Sequence, residues 1–427
     1  MKIAWFSPLS SALPLQQRGS ISAAAYSTSI LLPRLEKFCE IDLFHDHLSE
    51  YNGRPVHSFL SAYDRHRKAP YDVFLYHLEN GPQAYFSRIH SALMPGVVWF
   101  HDYFLSDFGP EPILNSAWRE TVAKFRDRTR EWSSHEQKHV PYGPQALREV
   151  STAAVKIFSS ERDHGEYRRT AELSIIPPSA RSHYLPLPVE PVSVLGNAPQ
   201  ELLKIAFCGA PRIECRARTL LEAVAKYEGQ FELTWLVAEN EENEARELLA
   251  DFDLPTVKII PGRSPAKWHE VVTRSTVAVH TLFSVFGQLG PYLNISMMHG
   301  VPSIVCNFGQ GELLPSSLIL KISCGNEAAL ELNGIFQRLA GQDLSDLRRR
   351  VAEYGAEMFH ADVIARELLT VFDHARPSLQ SVVGRWEQFE EAARSQLFTE
   401  ATALARPDFI NSDPLAAAFT ELGWTSL

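Results

Sequence analysis

The chain has 427 residues, a formal net charge of −10 at pH 7 and a pI near 5.9, and 45% of its residues are apolar. It is long enough for two domains that each bury a core. The acidic balance excludes a general polyanion binder, because nucleic-acid-binding domains usually carry a concentrated basic face, so any phosphate site must be local.

Cysteine usage and hydropathy favour a cytoplasmic protein. The five cysteines are scattered, odd in number and without a Cys-x-x-Cys pair, which indicates neither a disulfide framework nor a zinc site. The apolar run at Met1–Ser7 is far too short for a signal peptide, and nowhere do about 18 apolar residues run together. Peripheral contact with the inner face of the membrane stays open.

The first half of the chain alternates predicted strands with predicted helices. A strand over Lys2–Ser7 precedes a Pro/Ser/Gly loop and a helix from Ser22 to about Phe38, with Ser20 or Ser22 as its cap. Strands are further predicted at Glu40–Phe44, Asp72–His77, Val97–His101 and Val155–Ser159, and helices at Gln83–Ala92 and Trp118–Arg130. Such alternation is typical of a mostly parallel sheet.

A proline-rich stretch, Pro177–Pro199, separates this half from a second one. The same alternation returns there, with strands predicted at Lys204–Gly209, Glu232–Ala238, Val257–Pro261, Val277–Leu282, Val301–Asn307 and Leu318–Ile322, and helices near Arg216–Lys226, Glu241–Leu249, Pro265–Arg274 and Pro291–His299. From about Ala328 the chain is predicted to be helical, and beyond Pro377 an amphipathic segment over Val382–Leu404 is predicted to cross back to the first domain.

The predicted fold class is therefore α/β, with two Rossmann-like domains over residues 1–190 and 200–375 and a helical segment over residues 376–427. Near the three-quarter point, the glycine-rich loop Phe286–Pro291 precedes an apolar helix and the buried strand within Gly300–Asn307. Backbone amides at such a helix start can hold an anion. The alternative is an ordinary turn whose glycines only permit tight packing.

Several segments resemble motifs of the GT-B glycosyltransferases, and in particular of the retaining family 4 type. In the first half, Ser7–Leu9 followed by Gly19–Ala23 resembles the opening segment of that family. Tyr76–Gly81 and then Pro95–Asp102 resemble its mid-domain motifs, in the same order and at a similar separation.

The second half carries two further similar segments, one at Phe207–Gly209 with Arg212 and Arg216, and one at Gly287–Gly309. They correspond to the diphosphate turn and the donor stretch of the family. The chain departs from the pattern where Gln288 and Ile295 replace two usual glutamates and where Cys215 replaces a usual lysine. These departures leave the donor open and put turnover in question.

The resemblance implies a role for each matched residue on the donor side. Arg212 and Arg216 lie just past a strand end and would bind the donor diphosphate, although solvated helix-start charges would look the same. Gly287, Leu289 and Gly290 would lead into a helix whose amino end faces the β-phosphate, and Gln288 would hydrogen-bond the sugar or a phosphate.

On the acceptor side, His101 would hydrogen-bond the transferred sugar near the reacting centre, and Asp102 would shape the loop or contact the acceptor. His101, Asp102 and Gln288 are thus the predicted catalytic set. Gly19 and Ser20 would close the donor pocket. Glu312 would bind ribose hydroxyls or merely cap a turn.

A basic and aromatic segment, Trp118–Arg130, could rest on anionic lipid, but three interspersed acids favour a solvated helix face. The sequence predicts a metal-independent, retaining glycosyltransferase that moves a sugar from a nucleotide-sugar donor to a glycan, a lipid-linked glycan or another hydroxyl acceptor. It predicts no cofactor, no bound metal and no nucleic-acid partner, and it leaves the oligomeric state open. The lack of an Asp-x-Asp triplet agrees with metal independence.

Three alternatives stand beside this prediction. The first is a GT-B sugar-nucleotide epimerase or sugar-phosphate synthase. The second is a non-catalytic GT-B protein that binds a sugar nucleotide or a partner, motivated by the missing glutamates. A dinucleotide-dependent dehydrogenase is disfavoured, because no strand is followed by a Gly-x-Gly-x-x-Gly turn with an acid about 20 residues later.

Overall fold

A computed structural model describes residues 1–9, 22–103, 105, 147–173, 181–192, 202–283 and 289–386. Within them the chain divides into two compact units. The first holds residues 1–9, Ser22–Leu185 and the chain from Ala365 onward, and the second holds Pro186–Ile364. Each unit contains one largely parallel sheet, which confirms the predicted α/β fold class.

The first sheet has eight strands in the order β3-β4-β2-β1-β5-β6-β7-β8, and only the β3–β4 pair is antiparallel. Its strands are β1 (Lys2–Phe6), β2 (Glu40–His45), β3 (Glu50–Tyr51), β4 (Arg54–Ser58), β5 (Val73–Leu78), β6 (Val97–Phe100), β7 (Val155–Phe158) and β8 (Arg181–Tyr184). The central strands β5, β6 and β7 are buried at every residue, as expected for strands covered on both faces.

The described helices of the first unit are α1 (Ala23–Leu35), α2 (Ala62–Lys68), α3 (Tyr85–Leu93), α4 (Leu147–Thr152) and α5 (Glu161–Leu173). The hydroxyl of Ser22 accepts a hydrogen bond from the Ala25 amide, so the predicted cap is present. Of the predicted elements, Trp118–Arg130 lies outside the described residues.

The second sheet has six parallel strands in the order β11-β10-β9-β12-β13-β14. Its strands are β9 (Leu203–Cys208), β10 (Phe231–Val237), β11 (Val257–Pro261), β12 (Val277–His280), β13 (Ser303–Cys306) and β14 (Ile319–Ile322). The described helices around it are α6 (Ala217–Ala225), α7 (Glu242–Ala250), α8 (Pro265–Val272), α9 (Pro291–Met298), α10 (Gln310–Leu313), α11 (Ala328–Leu339) and α12 (Ser345–Phe359). The strand order is that of a doubly wound nucleotide-binding domain.

The last described helix is α13 (Ala361–Trp386), and it runs through Pro377. The predicted segment boundary near this residue stays a prediction, and residues 387–404 of the predicted amphipathic segment lie outside the described residues. A proline removes one backbone hydrogen bond. Burial of Phe372, Ala375 and Leu379 on the same helix offsets that loss. Among the described residues, no helix is both long enough and apolar enough to cross a membrane.

The helix α9 packs against α12 at a point where a glycine permits close contact. A Cβ atom on Gly355 would lie 2.8 Å from the Met297 carbonyl carbon and 2.9 Å from the Met298 amide nitrogen. Backbone atoms cannot move aside as the end of a flexible side chain can. Gly355 therefore fixes how closely α12 approaches α9.

We predict that Gly355→Ala lowers the free energy of unfolding by about 1–3 kcal/mol, because the added methyl overpacks this contact. Gly334→Ala is the matched control, since Gly334 also lies inside a helix but has no atom within 4 Å of the position that an added Cβ would take. It should raise the free energy of unfolding by up to about 1 kcal/mol through helix propensity. Urea unfolding measures both, and equal effects would contradict the close-contact argument.

Candidate functional site

The strand order reverses once in each sheet, between β1 and β5 in the first and between β9 and β12 in the second. In open parallel sheets, ligands bind at the carboxyl ends of the strands beside such a reversal. The segments that follow these four strands are therefore the first places to look for a site.

In the second unit, hydrogen bonds join the segments that follow β9 and β12. The Thr281 hydroxyl donates to the Cys215 carbonyl at 2.8 Å, and the Phe283 amide donates to the Glu214 carbonyl at 2.7 Å. The segment after β9 is also held from β10, because the Trp235 indole donates to the Gly209 carbonyl at 2.8 Å. Residues 209–216 thus have a fixed position at the reversal.

Arg216 occupies an unusual backbone position at the end of this segment. Its φ of 56° and ψ of 34° are left-handed, a conformation that costs a non-glycine residue about 1–2 kcal/mol. Its guanidinium donates to the carbonyls of Ser323, at 3.4 Å, and Gly325, at 3.1 Å, in the segment that follows β14. The strained backbone and the two hydrogen bonds together aim the side chain along the carboxyl edge of the sheet.

A cavity of about 510 Å³ opens beside these arginines, entirely within the second unit. Its lining combines cations with exposed apolar side chains, and Ile213 and Phe283 are 88% and 39% exposed. The Phe283 ring stacks on Phe308 with centroids 4.6 Å apart. Lining residues that matter for the chemistry are Arg212, Ile213, Arg216, Arg218, Phe283 and Cys324. Such a surface can hold phosphates and a flat apolar ring side by side.

Another arginine at this edge, Arg263, was missed by the sequence analysis. Its amide donates to the Val237 carbonyl at 3.0 Å, which fixes it at the same edge, and its charge interacts with Glu241, Cys215 and Cys208. Arg263 follows the predicted strand Val257–Pro261 directly, so the strand-end rule that selected Arg212 could have found it.

The buried carboxylate of Glu241 interacts with two of these arginines. Its Oε1 lies 3.5 Å from the Arg212 Nη2, and its Oε2 accepts from the Ala238 amide at 3.2 Å. The Arg212 side chain is 60% exposed, whereas that of Glu241 is only 8% exposed. The Glu241 carboxylate therefore interacts with both arginines from the interior of the unit, and the Arg212 side chain stays open to solvent.

The helix α9 begins near the end of β9. Gly290 precedes it with a φ of +79°, Pro291 is its first residue, and the side chain of Tyr292 in its first turn lies close to that of Cys208. Leu289 packs against the core of this unit. Gly287 and Gln288 lie outside the described residues, as do Gly19 and Ser20. The predicted role of the helix start in phosphate binding stays a prediction.

Glu312 lies in the short helix α10 with its side chain exposed. Its carbonyl accepts a hydrogen bond from the Lys321 ammonium at 2.8 Å. This contact uses the backbone of Glu312 and not its carboxylate, so ribose binding and turn capping both stay predictions for the side chain.

In the first unit, His101 follows β6 and is fully buried. Its Nε2 lies 2.8 Å from the His77 Nδ1, and its Nδ1 lies 2.9 Å from the Ser159 hydroxyl. The same hydroxyl accepts from the Trp99 indole at 2.8 Å. Both ring nitrogens of His101 are thus used within the protein, and its contact with a sugar stays a prediction.

Burial lowers the pKa of His101 to about 3, so the ring is neutral at physiological pH. The Nε2 of His77 is buried and has no hydrogen-bond partner among the described residues. Burial and the neighbouring His101 lower the pKa of His77 as well. The pair is a neutral hydrogen-bonded unit rather than a source of charge.

Two carboxylates organise the segments around this pair. Asp102 accepts from the Asn80 amide at 2.8 Å, which joins the segments after β5 and β6, and its predicted roles in shaping the loop or contacting the acceptor stay predictions. Glu79, which the sequence analysis did not select, accepts from the Ser22 hydroxyl at 2.6 Å and from the Ala24 amide at 3.1 Å. It therefore fixes the start of α1 at the strand reversal of the first sheet.

A scan of the sequence against models of protein families found no match, and a search of curated proteins found none. Solved structures do match. Sucrose-phosphate synthase from Thermosynechococcus elongatus aligns with a TM-score of 0.62 at 13% identity, over 88% of this chain and 100% of that one. Anabaena HepE in complex with UDP and glucose aligns with a TM-score of 0.58 at 15% identity and the same coverage. The fold is GT-B.

A glycosyltransferase from Rickettsia africae also matches, with a TM-score of 0.56 at 12% identity over 88% of this chain and 98% of that one. The GT-B fold predicted from the sequence is thereby confirmed. Identities this low show the fold alone, so membership of family 4 stays a prediction.

The buried histidines of this GT-B chain predict how its stability depends on pH. In the unfolded chain His101 has a pKa near 6.5, whereas burial in the folded chain lowers that pKa to about 3. Between these values the unfolded chain binds the extra proton, so stability falls with falling pH by about 1.4 kcal/mol per unit for each such histidine. His101→Gln should reduce the slope of unfolding free energy between about pH 4 and pH 6 by that amount. An unchanged slope would contradict the burial.

Proposed function

We propose that this protein is a retaining, metal-independent glycosyltransferase that takes a sugar from a nucleotide diphosphate and passes it to a hydroxyl acceptor. The observation that supports this most is the cavity beside the strand reversal of the second sheet, where arginines and exposed apolar side chains lie together. A nucleoside diphosphate offers the matching parts: a flat base and two phosphates. HepE was solved with UDP and glucose, so UDP-sugars are the first donors to test.

Departure of the diphosphate leaves negative charge on its oxygens, and groups that are already in position stabilise it best. Arg216 and Arg212 would meet this charge at the cavity. Arg263 would meet it from the core side, and the amino end of α9 would add its dipole. The departing phosphate would help to deprotonate the acceptor, which gives transfer on the same face of the sugar.

A second candidate function is a GT-B protein that binds a sugar nucleotide without turnover. The burial of His101, with both of its ring nitrogens bonded to protein groups, favours this interpretation.

Thermal-shift screening against a panel of sugar nucleotides identifies the donor, because a ligand that binds only the folded state raises the apparent stability of the protein. Mass analysis of the same mixtures, with and without an acceptor pool, separates binding, donor conversion and transfer.

We predict that Arg216→Ala lowers affinity for the nucleoside diphosphate about 10- to 100-fold, because a charge-assisted hydrogen bond contributes about 1.5–3 kcal/mol. Arg246→Ala is the control. Arg246 is an exposed arginine of the same unit that lies on α7 and pairs with Glu242 there. Titration calorimetry with the nucleoside diphosphate measures both variants. Equal affinities for the two variants and the parent protein would remove Arg216 from the site.

Arg263 gives a test that includes rescue. Arg263→Ala should weaken binding of the nucleoside diphosphate about 10-fold or more, but leave binding of the nucleoside without phosphates unchanged. Because Cys215 lies within the electrostatic reach of Arg263, Cys215→Lys in the Arg263→Ala background returns a cation to the same place. We expect partial recovery of diphosphate affinity. Equal losses for nucleoside and diphosphate, without recovery, would show that Arg263 only supports the fold.

A further inference from the structure

A cluster of three consecutive side chains lies outside the donor site, at the carboxyl end of β2. The Asp46 Oδ1 lies 2.7 Å from the Nδ1 of His45 and 2.6 Å from the Nδ1 of His47. The two imidazole rings meet edge to face, with centroids 4.7 Å apart. One potential metal ligand from each residue thus lies within 4.8 Å of the others.

The chain bends directly after His45, and this bend brings the three groups together. Alternating residues of a straight strand would place Asp46 on the opposite face from its neighbours. Here β2 ends at His45, and both flanking rings turn their Nδ1 atoms toward the same carboxylate oxygen. The convergence is therefore a property of the bend and not of strand periodicity.

The three side chains contact one another at hydrogen-bond distances that a metal ion would replace. The Asp46 Oδ1 lies within hydrogen-bond reach of both Nδ1 atoms, and the His47 amide also approaches the His45 Nδ1 at 3.3 Å. The His45 Nε2 is buried and has no hydrogen-bond partner among the described residues. Because a metal ligand must offer a lone pair, an ion would displace the protons that now lie between the carboxylate and the imidazoles.

We infer that His45, Asp46 and His47 form a binding site for a divalent transition-metal ion of the zinc type. Two imidazole nitrogens and one carboxylate oxygen are a common three-residue set for Zn²⁺, whereas Mg²⁺ and Ca²⁺ prefer oxygen ligands alone. The remaining coordination positions would be filled by water, because the site is open on one side. The side chain of His45 is only 2% exposed, but those of Asp46 and His47 are 19% and 23% exposed.

The site would be separate from the proposed transfer chemistry. It belongs to the first unit, whereas the arginine cavity lies in the second. The ion would clamp the bend after β2, where the chain turns toward β3 and β4. The proposed donor-binding residues and the proposed metal ligands are different residues of different units, so the two proposals can fail independently.

The test is equilibrium dialysis of the full chain against Zn²⁺, with bound metal counted by mass spectrometry, and against Co²⁺, with the visible spectrum recorded. We expect one tightly bound ion per chain and the absorption of cobalt with nitrogen and oxygen ligands. Asp46→Asn and His47→Gln should each weaken binding by at least about 10- to 100-fold, the loss seen even when an outer partner of a metal ligand is removed. Circular dichroism of the metal-free variants establishes that they fold.

His360→Gln is the matched control. The His360 Nδ1 also faces a carboxylate, that of Asp362 at 4.0 Å, but no third ligand among the described residues joins this pair. Its Zn²⁺ binding should equal that of the parent protein. Two results would overturn the inference: no stoichiometric zinc on the parent chain, or zinc that is retained at full affinity by folded Asp46→Asn and His47→Gln.

Discussion

The candidate site depends on two hydrogen bonds that join the segments after β9 and β12. Parallel strands send all their carboxyl ends to one edge, and the reversal of strand order separates the segments that follow its two flanking strands. In this chain Thr281 and Phe283 connect the two segments by donating to the carbonyls of Cys215 and Glu214. These bonds hold the backbone just before Arg216, which precedes α6 in a left-handed conformation.

Charge at this edge is arranged around one acid. Glu241 is buried and interacts with both Arg212 and Arg263. A site with more cations than acids favours an anionic ligand. The first unit is organised differently, since the buried His77 and His101 are neutral and Glu79 and Asp102 serve to join segments of the backbone.

Local patterns predicted most of the fold. The buried strands, the Ser22 cap and the helix after Gly290 each follow from a few neighbouring residues, and each is present. Features that depend on distant residues were missed, because a sequence does not show which segments meet. The position of Arg263 beside Cys215 and the burial of His101 under Ser159 both arise from strand order. Short strands such as β3 and β4 carry too few residues for a periodic signal.

Two thiols lie near the arginines, at the carboxyl ends of β9 and β13. Burial raises the pKa of both Cys208 and Cys306 to about 12, so these side chains hold no charge under physiological conditions. Guanidinium groups keep theirs throughout the same range. These two thiols therefore add no charge near neutrality, and a change with pH in affinity for the free nucleoside diphosphate would follow the second ionisation of its terminal phosphate, which lies near pH 6.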